Sequence, residues 1–206
     1  MDGKIETDKK SYILHSAMVL FSQKGFAEVT MQDIANASGV CRATVYNIYS
    51  KKEHIYEAFI LEGLERLKVR LGQVLESECS AVNALKAAFS TIMHTFIESV
   101  DQYPTIKKEY FSDYYATIYY RRVVFSYYCS IFKEIFKRGN DEQELIISDI
   151  DAIVSVIVNS IKGLEMQCLE ENSTEVIQRE IKNSIDFISR AVIRKKELSM
   201  QHLGGV

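Results

Sequence analysis

Hydrophobic residues recur along this chain at spacings of three and four, which is the period of an amphipathic α-helix. The last predicted helix shows this pattern most regularly, with apolar residues at Ile177, Ile181, Ile185, Ile188 and Val192. No segment shows the strict polar–apolar alternation that indicates a half-buried β-strand. The pattern therefore predicts an all-α fold of about nine helices.

Short polar and glycine signals divide the first part of the chain into helices. Thr30 is followed three residues later by Asp33, a variant of the capping box that begins a helix. Gly39 supplies a turn soon afterwards, because glycine adopts the left-handed conformation without steric cost. These signals predict helices over residues 9–24, 31–38, 42–48 and 50–76, with residues 1–8 frayed.

Beyond residue 78 the composition changes, and the remaining helices are marked mainly by caps. Ser80 and Ser148 are expected to cap two of them, and Ser173 or Thr174 to begin the last. Pro104 is expected to begin another, since proline suits the first turn of a helix.

Composition and charge narrow the class of protein. The 206 residues are 47% hydrophobic and include one proline and nine glycines, which fits a globular fold of long helices. The net charge is −3, and residues 1–54 carry seven basic against six acidic side chains. Any contact with nucleic acid must therefore be local, and non-specific affinity modest.

The reactive side chains are scattered. The four cysteines have neither CxxC spacing nor histidine neighbours, so we expect no metal, no disulfide and no cofactor. The four histidines belong to no nucleophile–base set, so the chain is not expected to be an enzyme and no catalytic residue is assigned. The first twenty residues lack an apolar core, and the apolar stretch of residues 150–161 is too short to span a bilayer. A cytoplasmic protein without a membrane partner is predicted.

Residues 30–53 have the pattern of a helix-turn-helix. Ala35 is small enough for close packing, Gly39 forms the turn, and Val45 plugs the space between the two helices. The outer face of the third helix is then left to meet base edges in the major groove; its candidate base contacts are Arg42, Ala43, Thr44 and Asn47. The candidate phosphate contacts, which set position rather than sequence, are Thr30, Tyr46 and Lys52.

This region resembles the tetracycline-repressor (TetR) family. The residues in register with the family pattern are Thr30, Ile34, Ala35, Gly39, Val40, Ala43, Thr44, Val45, Tyr46, Lys52 and Glu53, together with Ala17, Phe21 and Gly25 in the preceding helix. The strong match covers residues 10–60, and the rest is similar only in length and helical layout. Two departures are Cys41 in place of serine and Tyr49 in place of phenylalanine.

The resemblance implies a DNA-binding domain over residues 1–50 and a ligand-sensing and dimerisation domain over residues 51–206. It implies a homodimeric transcriptional regulator, most often a repressor, that binds a palindromic double-stranded DNA operator. A small-molecule effector of unknown identity would release that operator. Two alternatives stay open: an activator with the same DNA-binding unit, and a DNA-bound protein whose helical body recruits a protein partner.

Cys41 has two interpretations. It lies at the start of the third helix, and helix N-termini lower the pKa of a thiol, so it could be a redox sensor near DNA. The favoured interpretation is a small residue that is tolerated in the place of serine, because no basic cluster or partner cysteine lies nearby in the sequence.

The helical body contains two candidate regions. A flank of small residues on the helix after Ser148, together with part of the last helix, is the candidate dimer interface; its residues are Ala152, Val156, Ser160, Gly163, Ile181 and Ile188. A tyrosine-rich stretch, whose apolar rings carry polar tips, indicates the effector site. The candidate pocket residues are His94, Tyr110, Tyr114, Tyr128 and Asn159. The alternative for any single tyrosine is ordinary core packing with its hydroxyl at the surface.

Overall fold

The structure, a computed structural model, describes residues 2–78, 80–104, 107, 115–170 and 173–192. It confirms the all-α prediction, because no β-strand occurs in these ranges. The helices in them are α1 (Asp2–Lys24), α2 (Met31–Ser38), α3 (Arg42–Ile48), α4 (Lys52–Ser77), α5 (Ala81–Gln102), α6 (Tyr115–Asp141), α7 (Ile150–Glu170) and α8 (Thr174–Val192). The helix predicted to begin at Pro104 falls largely on residues outside the described ranges.

The first three helices and the first turns of α4 share one hydrophobic core, and we call this unit the reader. Phe21 from α1, Ile34 from α2, Val45 from α3 and Ile55 from α4 are all fully buried in it. Because Ile55 and Tyr56 lie in this core, the reader extends beyond residue 50. Helix α1 begins at Asp2, so residues 2–8 are helical where the sequence predicted a frayed segment.

The rest of α4 and helices α5 to α8 form a second core, and we call this unit the body. Helix α5 lies at its centre and packs against α4, α6, α7 and α8. The largest fully buried side chains here are aromatic and aliphatic residues of α4, α5 and α6; they are Leu71, Phe89, Ile92, Met93, Phe132, Ile135 and Phe136.

The corner between α4 and α5 is capped from a distant part of the chain. The guanidinium of Arg138 donates to the carbonyls of Leu75 and Glu78 at 3.2 Å each, which satisfies the end of α4. The carboxylate of Glu144 accepts from the backbone N–H of Ala81 at 2.6 Å and from the Ser80 hydroxyl at 3.2 Å. Ser80 does occupy the N-cap position, but the capping acceptor is Glu144 rather than its own side chain.

Caps also begin the last two helices. The carboxylate of Asp149 accepts from the N–H of Ala152 at 2.9 Å, so Asp149 caps α7 in the place predicted for Ser148. The hydroxyl of Ser173 accepts from the N–H of Val176 at 3.4 Å, which selects Ser173 rather than Thr174 as the residue before α8.

Helix α7 extends beyond the apolar stretch of residues 150–161. It has 21 residues, of which 18 consecutive ones reach a mean hydropathy of 1.3, and among the described helices it alone is long and apolar enough to cross a membrane by length and composition. The same features suit a core helix, and Val154, Ile157, Ile161 and Leu164 are buried in the body core. The apolar character of α7 is therefore accounted for by packing inside the protein.

Gly139 lies where α6 passes closest to the α4–α5 corner. A Cβ atom at this position would lie 2.7 Å from the Cβ of Ala81 and 2.7 Å from the Cγ of Leu145. The Ala81 methyl is attached directly to the backbone, so it cannot rotate away. Only a residue without a side chain lets α6 approach the beginning of α5 this closely.

We therefore predict that Gly139→Ala lowers the free energy of unfolding by about 1–3 kcal/mol, the usual cost of overpacking. The matched control is Gly72→Ala in α4, because a Cβ there meets nothing within 4 Å. That substitution should leave stability unchanged or raise it by up to about 1 kcal/mol through helix propensity. Urea unfolding of the two variants measures both values, and equal stabilities would contradict this account of the corner.

Candidate functional site

The beginning of α2 is fixed by a reciprocal cap. The Thr30 hydroxyl accepts from the N–H of Asp33 at 3.1 Å, and the Asp33 carboxylate accepts from the N–H of Thr30 at 2.9 Å and from its hydroxyl at 2.6 Å. The Thr30 hydroxyl, followed by its backbone N–H, holds the pKa of Asp33 below the ordinary value. Since this hydroxyl is already committed, the predicted phosphate contact of Thr30 would require the cap to rearrange.

The turn after α2 depends on one glycine. Gly39 has φ of 67°, in the left-handed region where side chains are disfavoured, and no atom would meet a Cβ there within 4 Å. The requirement for glycine is therefore conformational rather than steric. The turn directs α3 across α2 and leaves one face of α3 outward.

Helix α3 is anchored by Val45, with Thr44 and Ile48 half-buried, and its other side chains are exposed. Val45 is fully buried, while Arg42, Ala43 and Asn47 are exposed and Tyr46 is 40% exposed. The Arg42 guanidinium lies 5.4 Å from the centre of the Tyr46 ring, so these two side chains form one cation–π pair on the outer surface. These four exposed side chains are in the places that base and phosphate contacts need, and the individual contacts stay predictions.

Thr44 is less available than its neighbours. It is half-buried, and its hydroxyl lies 2.9 Å from the Sγ of Cys41 at the N-cap of α3. The Thr44 hydroxyl and then the Thr44 N–H lower the pKa of the exposed Cys41 thiol from its ordinary value. Thr44 can therefore offer its methyl group to a base more readily than its hydroxyl.

Lys52 does not point at solvent. Its ammonium donates to the carbonyls of Phe26, Ala27 and Val29 at 2.7, 2.9 and 2.9 Å, and it lies 4.7 Å from the centre of the Phe26 ring. All three donors of the ammonium are thereby used. The expected phosphate contact of Lys52 is corrected here: the side chain ties the beginning of α4 to the α1–α2 loop. The adjacent Lys51 is exposed and is the better candidate for a phosphate.

The body contains a cavity of about 160 Å³ between α4, α5 and α6, which we call the α4–α5–α6 cavity. Its lining is mostly apolar, with a few polar side chains; the residues are Phe59, Ile60, Gly63, Leu64, Arg66, Leu67, Ile92, Thr95, Phe96, Ser99, Val124 and Tyr128. Tyr128 is therefore the predicted pocket residue that lines it. The Tyr128 hydroxyl donates to the Glu165 carboxylate at 3.3 Å, and Glu165 is only 2% exposed, a buried acid that the sequence analysis missed.

The other predicted pocket residues lie elsewhere. His94 and Asn159 are exposed and absent from the cavity lining, so the structure does not bring them to this site. Tyr110 and Tyr114 lie outside the described residues. Within the described ranges, no group of three or more histidine, cysteine or acidic side chains is placed to hold a metal ion.

Helices α7 and α8 leave an apolar surface uncovered, which we call the α7–α8 face. Val156 is 55% exposed, Met166 39% and Phe187 74%. Five of the exposed residues on α7 follow the spacing of a helix that packs on another helix; they are Ala152, Val156, Asn159, Gly163 and Met166. The predicted interface residues Ala152, Val156 and Gly163 lie on this face, and Ser160 is half-buried beside it.

Two predicted interface residues are corrected. Ile181 and Ile188 are each 5% exposed and pack into the body core of their own chain, so they offer almost no surface to a partner. The periodic apolar stripe of α8 faces inward for this reason. Phe187, which the stripe does not include, is the large apolar side chain that α8 presents outward.

A capped α2, a left-handed glycine turn and an outward α3 together define a DNA-binding unit of the helix-turn-helix class. Comparison with known proteins agrees, because residues 13–59 match the family model of the bacterial regulatory proteins of the tetR family. The reader of this chain is therefore similar to the DNA-binding unit of that family.

Curated relatives match over less than half of this chain. The transcriptional repressor KstR2 of Mycolicibacterium smegmatis is 26% identical over 96 residues, which are 45% of this chain and 47% of that protein. The uncharacterized regulator YhgD of Bacillus subtilis is 28% identical over 69 residues, or 34% and 36% of the two chains. The chain therefore spans about half or less of the length of these relatives. Both are named as transcriptional regulators, in agreement with the expectation that the chain is not an enzyme.

Solved structures match over nearly the whole chain. The SmeT–triclosan complex has a TM-score of 0.75 at 18% identity, covering 91% of this chain and 93% of that one. The fatty acid degradation regulator FadR of Bacillus halodurans has a TM-score of 0.74 at 14% identity, covering 88% and 94%. At these identities the likeness establishes the fold of the body as well as of the reader.

The hydrogen bonds of Lys52 lead to a prediction that distinguishes a structural role from a direct phosphate contact. Lys52→Met keeps the aliphatic stem but leaves three carbonyls without their charged donor, so we expect the free energy of unfolding to fall by about 2 kcal/mol. The control Lys51→Met should leave it unchanged.

Urea unfolding measures the stabilities, and the salt dependence of DNA binding tests the alternative role. A direct phosphate contact at Lys52 would instead leave stability intact and reduce the slope of log K against log salt by about one.

Proposed function

We propose that this chain is a DNA-binding transcriptional regulator that acts as a homodimer on a palindromic operator and is released by a small-molecule effector. The observation that carries this proposal is the outward face of α3, where Arg42, Ala43, Tyr46 and Asn47 are exposed around the buried anchor Val45. Arginine and asparagine recognise guanine and adenine edges by paired hydrogen bonds. These exposed side chains do not contribute to the reader core, so they are available to a partner.

The homodimer is proposed from the α7–α8 face. One α3 helix reads only a few base pairs, and two copies about 34–36 Å apart would fill successive major grooves. An exposed phenylalanine beside a stripe of small residues suits close packing of helices across a twofold axis. Asn159 lies in the middle of that stripe, so we reassign it from the effector pocket to this interface.

The effector site is proposed at the α4–α5–α6 cavity. Its apolar walls and the side chains of Thr95, Ser99 and Tyr128 suit a largely apolar molecule that carries one or two polar groups. Two proteins of similar fold support a small-molecule effector by their names, one solved as a triclosan complex and one described as a ketosteroid transcriptional regulator.

Repression is proposed in preference to activation because the curated relative KstR2 is named as a repressor. A cytoplasmic location follows from the proposed DNA partner. Recruitment of a protein by the body is the less favoured function, since the body holds a cavity of suitable lining for a small molecule.

The test of DNA recognition begins with enrichment of fragments from the source genome by the purified protein. We expect a palindromic site, and Arg42→Ala should weaken binding to it by about 1–3 kcal/mol, the discrimination of one base contact, and relax the preference at one position in each half-site. The control Arg122→Ala removes an equal charge from an exposed site on the body. Its affinity should match the wild type. Equal affinities of all three proteins for every fragment would refute the assignment of α3.

The test of the homodimer uses Phe187→Glu. A charge on the α7–α8 face should raise the dimer dissociation constant at least tenfold, equivalent to about 1.4 kcal/mol. The control Val69→Glu alters an apolar side chain on α4 that is 63% exposed and lies outside this face. Sedimentation velocity across a concentration series measures both, and a Phe187→Glu protein that stays dimeric would place the interface elsewhere.

A further inference from the structure

One residue of the body lies inside the reader. Tyr103 follows the last residue of α5 and is only 8% exposed, because its ring is buried in the reader core. Among the described residues buried in that core, it alone comes from beyond α4. Its ring centre lies 4.8 Å from that of Phe59 on α4, and the two planes meet at 83°, an edge-to-face contact.

The partner of Tyr103 also forms a wall of the α4–α5–α6 cavity. Phe59 lines this cavity together with Gly63 and Arg66 of α4. Helix α5 contributes Ser99 to the opposite side, and the N–H of Tyr103 donates to the carbonyl of Ser99 at 3.0 Å. The edge-to-face contact therefore includes one wall residue of the cavity, Phe59, and Tyr103 lies one helical turn beyond another, Ser99.

The volume of the cavity determines whether a ligand would disturb the contact between Tyr103 and Phe59. Its volume of about 160 Å³ is below the roughly 300 Å³ at which ligand pockets usually begin. The cavity is partly open to solvent, and a ligand that extends between α4 and α5 must separate them, because packed cores do not compress. The separation reaches the end of α5, where the Tyr103 ring is held against Phe59 and the reader core.

Helices α4 and α5 are also joined by an ion pair further along α4, and this contact is weaker. Arg70 donates to Thr95 at 3.0 Å and to Glu98 at 2.7 Å, but both charged side chains are about half exposed. Exposed ion pairs contribute little to stability, and their long side chains can change conformation to follow a displacement. A rigid, buried aromatic contact transmits displacement better than a solvated charge pair.

We propose that Tyr103 is the positioning residue through which occupancy of the α4–α5–α6 cavity changes the reader. The proposal rests on the proposed function, in that it takes this cavity as the effector site. A ligand that spreads α4 and α5 pulls the Tyr103 ring against the reader core and shifts α3 relative to its partner copy. Without the ring, the same spreading stays within the body.

The test fills the cavity by mutation, since its ligand is unidentified. Gly63→Leu places a side chain into the cavity from α4, where the nearest atom to a new Cβ is the flexible end of Arg66 at 3.8 Å. Replacing a helical glycine also favours folding through helix propensity. The matched control is Gly72→Leu on the same helix, outside the cavity lining and with nothing within 4 Å of its Cβ.

Each glycine variant is made in the wild type and in Tyr103→Met, which replaces a rigid ring by a flexible apolar chain. Tyr103→Leu is a second such background, and Tyr103→Phe is the control that keeps the ring. We expect Gly63→Leu to weaken operator binding by about 5- to 150-fold, the usual range of coupling between sites. In Tyr103→Met or Tyr103→Leu the change should be below about threefold, and in Tyr103→Phe it should be as in the wild type. Gly72→Leu should change nothing.

Amide hydrogen exchange of α1 and α2 provides a readout that needs no DNA. Gly63→Leu should accelerate it in the wild type and in Tyr103→Phe, but not in Tyr103→Met. An equal effect in all backgrounds would overturn the proposal, as would an absence of effect in the wild type. If the wild-type protein enriches no DNA, the regulator proposal fails by itself, and hydrogen exchange still decides the role of Tyr103.

Discussion

Helix α4 takes part in both hydrophobic cores, and this double membership is the constraint on which the molecule depends. Its first turns bury Ile55 and Tyr56 in the reader, and its later turns bury Leu67 and Leu71 in the body. An α-helix is hydrogen-bonded along its whole length, so it transmits orientation from one core to the other. The direction in which α3 faces is therefore set by packing that takes place in the body.

Polar bonds fix both ends of this helix. At its beginning the Lys52 ammonium joins α4 to three carbonyls of the α1–α2 loop, and at its end Arg138 joins it to α6. Between these ends, the side of α4 that lines the α4–α5–α6 cavity has fewer packing contacts. The least constrained section of α4 thus lies beside the space proposed for a ligand.

The sequence predicted best what depends on near neighbours along the chain. The Thr30–Asp33 cap and the Gly39 turn involve residues within a few positions of one another, so their chemistry is legible in the pattern. The Lys52 bonds and the Glu144 cap join residues more than twenty and more than sixty positions apart. Their formation depends on loop paths that no local pattern encodes.

Periodicity also left the direction of a helix face undetermined. The regular isoleucines of α8 predict an apolar stripe, but the stripe alone cannot distinguish the chain's own core from a partner's surface. Ile181 and Ile188 turned out to be buried internally, while the isolated Phe187 faces outward. The candidate pocket was only partly predicted for a related reason. Glu165 meets Tyr128, and Gly63 reaches the cavity lining, only through tertiary packing.

The capped corner between α4 and α5 gives α4 a fulcrum. The 26 residues of α4 make a rod of about 39 Å, held by Arg138 at one tip and carrying the DNA-binding unit at the other. A tilt of about 5° around the held tip would sweep the free tip through about 3 Å, close to the 3.4 Å rise of one base pair. Leverage of this kind would convert a widening of about 1.7 Å near the middle of the rod into a mismatch with the spacing of the DNA grooves.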